Sequence, residues 1–173
     1  MEGKGYDEKI CAEITAETGI AAITTTTAVI AALKVLGLTR VAVATPYTRR
    51  LNDIEEKALG SYGVQVTAIK GYHEHLADAE LTNRMIGNLP EEDVYTFVRS
   101  VDHADAECLF ISCTNMRTAG IIESLEEYSG KPVLSSNLCN AWFALDRLKL
   151  RYLKEEPLSN GLDSTLLRTL VSE

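Results

Sequence analysis

Apolar residues recur along this chain with two alternating spacings. Helical stripes run through Ile10 and Ile14, then Val29, Ile30, Leu33 and Leu36, then Leu51, Ile54 and Ala58. Further stripes follow at Val94, Phe97, Val98 and Val101, at Ile121, Ile122 and Leu125, and at Leu138, Trp142, Leu145 and Leu148. Between them lie short runs that are apolar almost throughout: 20–23, 41–44, 64–69, 108–112 and 133–134. Such runs fit parallel strands buried on both faces. Gly19, Gly37, Gly63 and Gly130 each precede one of these runs, where a helix end favours the left-handed backbone that glycine adopts readily. Pro90 with Glu91, Glu92 and Asp93 marks a helix start. Helices alternating with buried strands predict an α/β fold around a mainly parallel sheet. The longest stretch without a period is 71–89, and a loop of that length in a compact domain points to function. The chain turns polar after residue 151, and a last short helix is predicted over 164–171.

Composition narrows the function classes. The 173 residues suffice for one ordinary domain, or one domain and part of another. Seventeen basic against 25 acidic residues leave a net charge of -8, which argues against nucleic acid as the partner. A small anion remains open, because a local pocket can oppose the global sign. The longest apolar stretch, 28–38, is interrupted by Lys34 and Gly37, so no membrane partner is expected. The first nine residues hold no signal-peptide core. Cys11, Cys108, Cys113 and Cys139 fall into no CxxC or zinc-finger spacing, so reduced thiols in the cytoplasm are the expectation.

The chemistry is expected where strands end, because open parallel sheets bind ligands beyond the carboxyl ends of their strands. The run 20–23 leads into Thr24, Thr25, Thr26 and Thr27; 41–44 leads into Thr45, Pro46, Tyr47 and Thr48. The run 108–112 leads into Cys113, Thr114 and Asn115, and 133–134 into Ser135, Ser136 and Asn137. Each set caps a helix, and helix N-termini offer free N–H groups to carboxylates without a metal or arginine clamp. Cys113 stands where a buried strand meets a helix start, a setting that suits a nucleophile or proton carrier, while Cys108 reads as core. Tyr47 is a candidate donor to a carboxylate or enolate oxygen. His73 and His75 lack a third ligand and read as solvated loop residues, so no metal is expected. No GxGxxG, P-loop or GxSxG occurs.

These words together resemble the Asp/Glu racemase superfamily, in its branch of maleate cis-trans isomerases and arylmalonate decarboxylases. The matching residues are Gly5-Tyr6-Asp7, the threonines 24–27 with Ala28-Val29, and Ala44-Thr45-Pro46-Tyr47-Thr48. Asn83 with Ile86-Gly87, Ser112-Cys113-Thr114-Asn115-Met116-Arg117-Thr118, Gly130-Lys131-Pro132-Val133, Ser135-Ser136-Asn137 and Trp142 complete them. The resemblance covers about residues 3–150 and implies a parallel-sheet, flavodoxin-like three-layer sandwich, one nearly complete half of a two-domain fold. It implies a cofactor-independent, cysteine-dependent isomerase or decarboxylase of small carboxylic or dicarboxylic acids. Cys113 then looks like the second-half cysteine, with Tyr47, Asn83, Thr114, Asn115, Ser136 and Asn137 as substrate contacts.

The family's first-half cysteine lies just upstream of its Gly-Tyr-Asp word, which begins here at Gly5. The expectation is therefore a chain without that segment: residues 1–36 a remnant of the N-terminal half, 37–150 the C-terminal α/β domain, 151–173 a tail with a short helix. Cys11 follows the word and does not replace the missing thiol. The apolar face left without neighbours around 6–23 leads to the expectation of a homo-oligomer. A second reading is a catalytically silent carboxylate-binding or assembly protein of the same fold.

Overall fold

Hydroxyl side chains start four of the seven helices in the computed structural model, which describes residues 5–150 and 164–170. The elements run α1 Tyr6–Thr18, α2 Thr25–Val35, β1 Arg40–Thr45, α3 Arg49–Ser61, β2 Gln65–Gly71, α4 Asn83–Gly87 and α5 Glu91–Arg99. They continue with β3 Cys108–Ile111, a 3-10 turn Ala119–Ile121, α6 Ile122–Ser129, β4 Val133–Ser135, α7 Ser136–Arg147 and a 3-10 turn Leu167–Leu170. Thr24, Thr48, Thr82 and Ser135 each accept a backbone N–H from the first turn of the helix they precede. Gly130, at φ 64°, ends α6 in the left-handed conformation, its N–H bonded to the Glu126 carbonyl.

The four strands form one parallel sheet in the order β2-β1-β3-β4. All residues of β3 and β4 are buried, and all of β1 after Arg40. Successive strand residues face opposite sides, so both faces of the central strands are covered, as the uninterrupted apolar runs predict. Helix α3 packs on β2 and α6 on β4, while α2 packs against α7. Leu109, Ile111, Leu134 and Leu33 are among the fully buried side chains, each contributing about 1.5–3 kcal/mol of transfer free energy. The C-terminal turn is tied down by Trp142 Nε1, which donates to Thr169 Oγ1 at 2.8 Å, and by the Glu126 carboxylate, which accepts from the Thr165 and Val133 N–H groups. The polar stretch 151–163 and the end of the expected last helix at 171 lie outside the described residues.

One expected strand is absent. The run 20–23 is an unpaired link between α1 and α2, and its Ala22 N–H is taken by Thr15 Oγ1 at 3.2 Å. A strand exists through its ladder, and none of the four strands pairs with this run. Ile20 is consequently 71% exposed, and helix α1 has no buried residue.

Chain connectivity places the functional region. The chain steps from β1 outward to β2 and then returns past β1 to β3. The strand order therefore reverses between β1 and β3, opening a crevice beyond their carboxyl ends. Ala44 and Ile111 pair there, so Tyr47 and Cys113 leave the sheet side by side.

Candidate active site

The turn after β1 is held from several directions. Thr45 Oγ1 donates to Asn52 Oδ1 at 2.6 Å and accepts the Tyr47 N–H at 3.0 Å. Asn52 Nδ2 and the Gly71 N–H both donate to Glu74 Oε1, at 3.3 and 2.8 Å. The His73 ring Nδ1 lies 2.8 Å from the Pro46 carbonyl oxygen. His73 is thus buried beneath the Tyr47 turn rather than solvated, and only His75 is exposed as expected. A Cβ on Gly71 would meet the Tyr47 carbonyl oxygen at 2.0 Å, so only glycine permits this approach of β2's end to the turn.

The loop after β3 is held just as closely. The Asn115 N–H donates to Cys113 Sγ at 3.3 Å, and Asn137 Nδ2 donates to the Thr114 carbonyl at 3.0 Å. Asn115 Nδ2 donates to the Asn83 carbonyl at 2.7 Å, and Thr118 Oγ1 to Ser135 Oγ at 3.1 Å. Helix α7 therefore starts against the loop that carries the thiol. Helix α2 starts nearby, where Asn140 Nδ2 of α7 donates to Thr25 Oγ1 at 3.2 Å.

These pieces enclose a cavity of about 250 Å³ lined by Tyr47, Cys113, Thr114 and Ser136, with Thr25, Thr26 and Glu55. Four of the seven residues singled out in the sequence meet here. Asn83, Asn115 and Asn137 are exposed and outside this lining; they brace the Cys113 loop from behind. Thr25 and Thr26 open α2 and Ser136 opens α7, so two helix N-termini border the cavity.

Sequence inspection missed Glu55, on the inward face of α3. It is buried, and Ser112 Oγ donates to its Oε1 at 2.5 Å. Burial pushes its carboxyl above the usual carboxylate range, and the Ser112 hydrogen bond only partly opposes this. Tyr47 is likewise pushed up, first by burial and then by Cys113 and Glu55 beside it, so its phenol stays protonated as a donor. Lysine, arginine and histidine do not occur among the described residues that line the cavity. Nor do the described residues bring three His, Cys, Asp or Glu side chains together in a metal-holding group. Cys108 is core as expected, its thiol pushed up to about 12 by burial. All four cysteines are free thiols, and no helix of the described residues is long and apolar enough to cross a membrane.

The family model described as arylmalonate decarboxylase matches residues 1–156. The chain is similar to the maleate isomerase of Nocardia farcinica (strain IFM 10152), at 32% identity over 124 residues, covering 71% of this chain and 47% of that protein. It is also similar to the arylmalonate decarboxylase of Bordetella bronchiseptica, at 28% over 149 residues, covering 83% and 58%. The chain therefore spans about half the length of these curated relatives. Among solved structures it resembles a cysteine-to-serine mutant of Nocardia farcinica maleate cis-trans isomerase with a covalently bound succinylcysteine intermediate. There the TM-score is 0.78 at 25% identity, covering 96% of this chain and 66% of that one.

Proposed function

The chain belongs to the arylmalonate decarboxylase family, and we propose that it is a cofactor-independent isomerase or decarboxylase of small carboxylic or dicarboxylic acids, with Cys113 as its reacting thiol. One observation carries this reading: Cys113 opens into the same cavity as Tyr47 and Ser136, at the point where the strand order reverses. The covalent succinylcysteine of the similar isomerase supports a cysteine as the reacting group.

The residues divide the work by what they offer. Backbone N–H groups at the starts of α2 and α7, with the Thr25, Thr26 and Ser136 hydroxyls, hold carboxylate oxygens in place of a cation. The Tyr47 phenol donates to the oxygen on which charge grows. In the decarboxylation, the C–C bond to one carboxylate breaks, carbon dioxide leaves, and its electron pair remains as an enediolate. The Cys113 S–H then protonates the carbon, and solvent restores the thiol. In the isomerisation, the Cys113 thiolate adds to one alkene carbon, the electron pair moves onto the adjacent carboxylate, the C–C bond rotates, and thiolate leaves. Either course needs one thiol. Cys113 is the only cysteine among the described residues of this cavity, and Cys11 lines the apolar groove beside α1 instead. This arrangement favours one-thiol chemistry over two-base racemisation. The four free thiols support a reducing, cytoplasmic setting.

The test is incubation with maleate, a 2-arylmalonate and aspartate in deuterated water, with Cys113→Ala as control. Fumarate, or a deuterated arylacetate, that requires Cys113 is the expected result. Folded protein that turns over none of these acids overturns the proposal.

A further inference from the structure

Glu55 is a carboxyl group in a cavity read as a receptor for carboxylates, and nothing in the steps above uses it. Ser112 Oγ already donates to its Oε1, which leaves Oε2 as the oxygen to carry a proton. Among the described residues, the side chains that line the cavity with it include no lysine, arginine, histidine or second carboxylate. Helix α2 contributes the Thr25 and Thr26 hydroxyls, the β1 turn contributes Tyr47, and the end of β3 contributes Ser112 and Cys113. Tyr62, just past the end of its own helix, also lines the cavity, and its hydroxyl donates to Asp7 Oδ2 of α1 at 2.8 Å. An ionised Glu55 and a bound acid would share about 250 Å³ with no lining cation between them.

We propose that Glu55 is a specificity-determining residue: a small acid enters this cavity only while Glu55 is the neutral carboxylic acid, which donates a hydrogen bond from Oε2 to the ligand. The proposal rests on the carboxylate-handling reading and adds what that reading lacks. Binding takes up one proton wherever free Glu55 is ionised, so acids bind less tightly as pH rises. The buried position that pushes the Glu55 carboxyl upward acts in the same sense.

The experiment is calorimetric titration of the protein with phenylmalonate, maleate and aspartate from about pH 5.5 to about pH 9, in buffers of different ionisation enthalpy. Glu55→Gln is measured in parallel and removes the contribution of the ligands' own titration. Glu55→Met, uncharged and close in volume, replaces it if the amide variant does not fold. The expected result is wild-type affinity for phenylmalonate or maleate that falls at least about tenfold further than the variant's over this range, with about one additional proton taken up per acid bound. Equal pH slopes and equal proton counts in the two proteins overturn the proposal while leaving the carboxylate reading intact. Aspartate bound more tightly at high pH, and only by the wild type, also overturns it, by showing that Glu55 recognises an ammonium group. If none of the three acids binds either protein at any pH, both the carboxylate reading and this proposal are refuted.

Discussion

Replacing Gly71 with alanine tests the geometry on which the Tyr47 side of the site depends. The new methyl carbon would stand 2.0 Å from the Tyr47 carbonyl oxygen and 2.8 Å from Asn52 Nδ2. Ordinary contact begins at 3.4 Å, so the carbonyl must retreat by about 1.4 Å. That oxygen is backbone, and its turn is pinned by Thr45 Oγ1 and by the His73 ring. The displacement therefore carries the Tyr47 phenol away from Cys113 instead of being absorbed by a flexible side chain. Overpacking of this kind costs about 1–3 kcal/mol. A shift near 1 Å at a group contacting the reacting atoms costs on the order of 10²-fold in rate. Circular-dichroism melting gives the first quantity, and Cys113-dependent turnover of the substrate found for the wild type gives the second. An alanine variant with wild-type melting temperature and wild-type turnover would refute the close approach of β2's end to the Tyr47 turn.

Three further outcomes are expected. Because burial raises the folded-state titration of Glu55, the stability it contributes is complete below the titration of a free glutamate and is lost as pH climbs through the folded one. Urea midpoints of the wild type should fall across that interval relative to Glu55→Gln, and parallel curves would contradict this. Burial pushes Cys108 up to about 12 and Cys139 upward as well, whereas Cys113 lines the cavity. Iodoacetamide should label Cys113 in the native protein and reach Cys108 and Cys139 only after unfolding, as peptide mass spectrometry would read; equal native labelling of the three would count against the cavity. Ile20, Ile23 and Leu148 expose an apolar groove beside α1, which predicts self-association at micromolar concentration. Sedimentation should show a species heavier than a monomer that dissociates in Ile20→Asp combined with Ile23→Asp, and a wild-type monomer would dismiss the idea.

The order of helices and strands was legible because local spacing and burial agree. The run 108–111 is apolar at every position, and β3 is buried on both faces. The run 20–23 has the same composition and forms no strand. Composition reports only that a segment suits burial in a sheet, while pairing depends on neighbours supplied from elsewhere in the chain. His73 misled for a related reason. Its loop setting suggests solvent, but the turn that buries it is contributed by residues 27 positions earlier.

The site shows the same division between local and distant information. Tyr47, Cys113, Thr114 and Ser136 follow strand ends, and a parallel sheet brings strand ends together whatever the details of packing. Glu55 sits in mid-helix, 57 residues from the Ser112 hydroxyl that orients it. The stripe read in α3 was Leu51, Ile54 and Ala58, but the buried positions are Asn52, Glu55 and Leu59, one residue further on. Two polar side chains three residues apart on the buried face of a helix are unusual for a face that only packs. Each has an assignment here: Asn52 holds the Tyr47 turn, and Glu55 meets Ser112 in the cavity. The polar residues on that face do not interrupt a hydrophobic stripe. They face the Tyr47 turn and the candidate cavity, so this side of the helix does more than pack against the core.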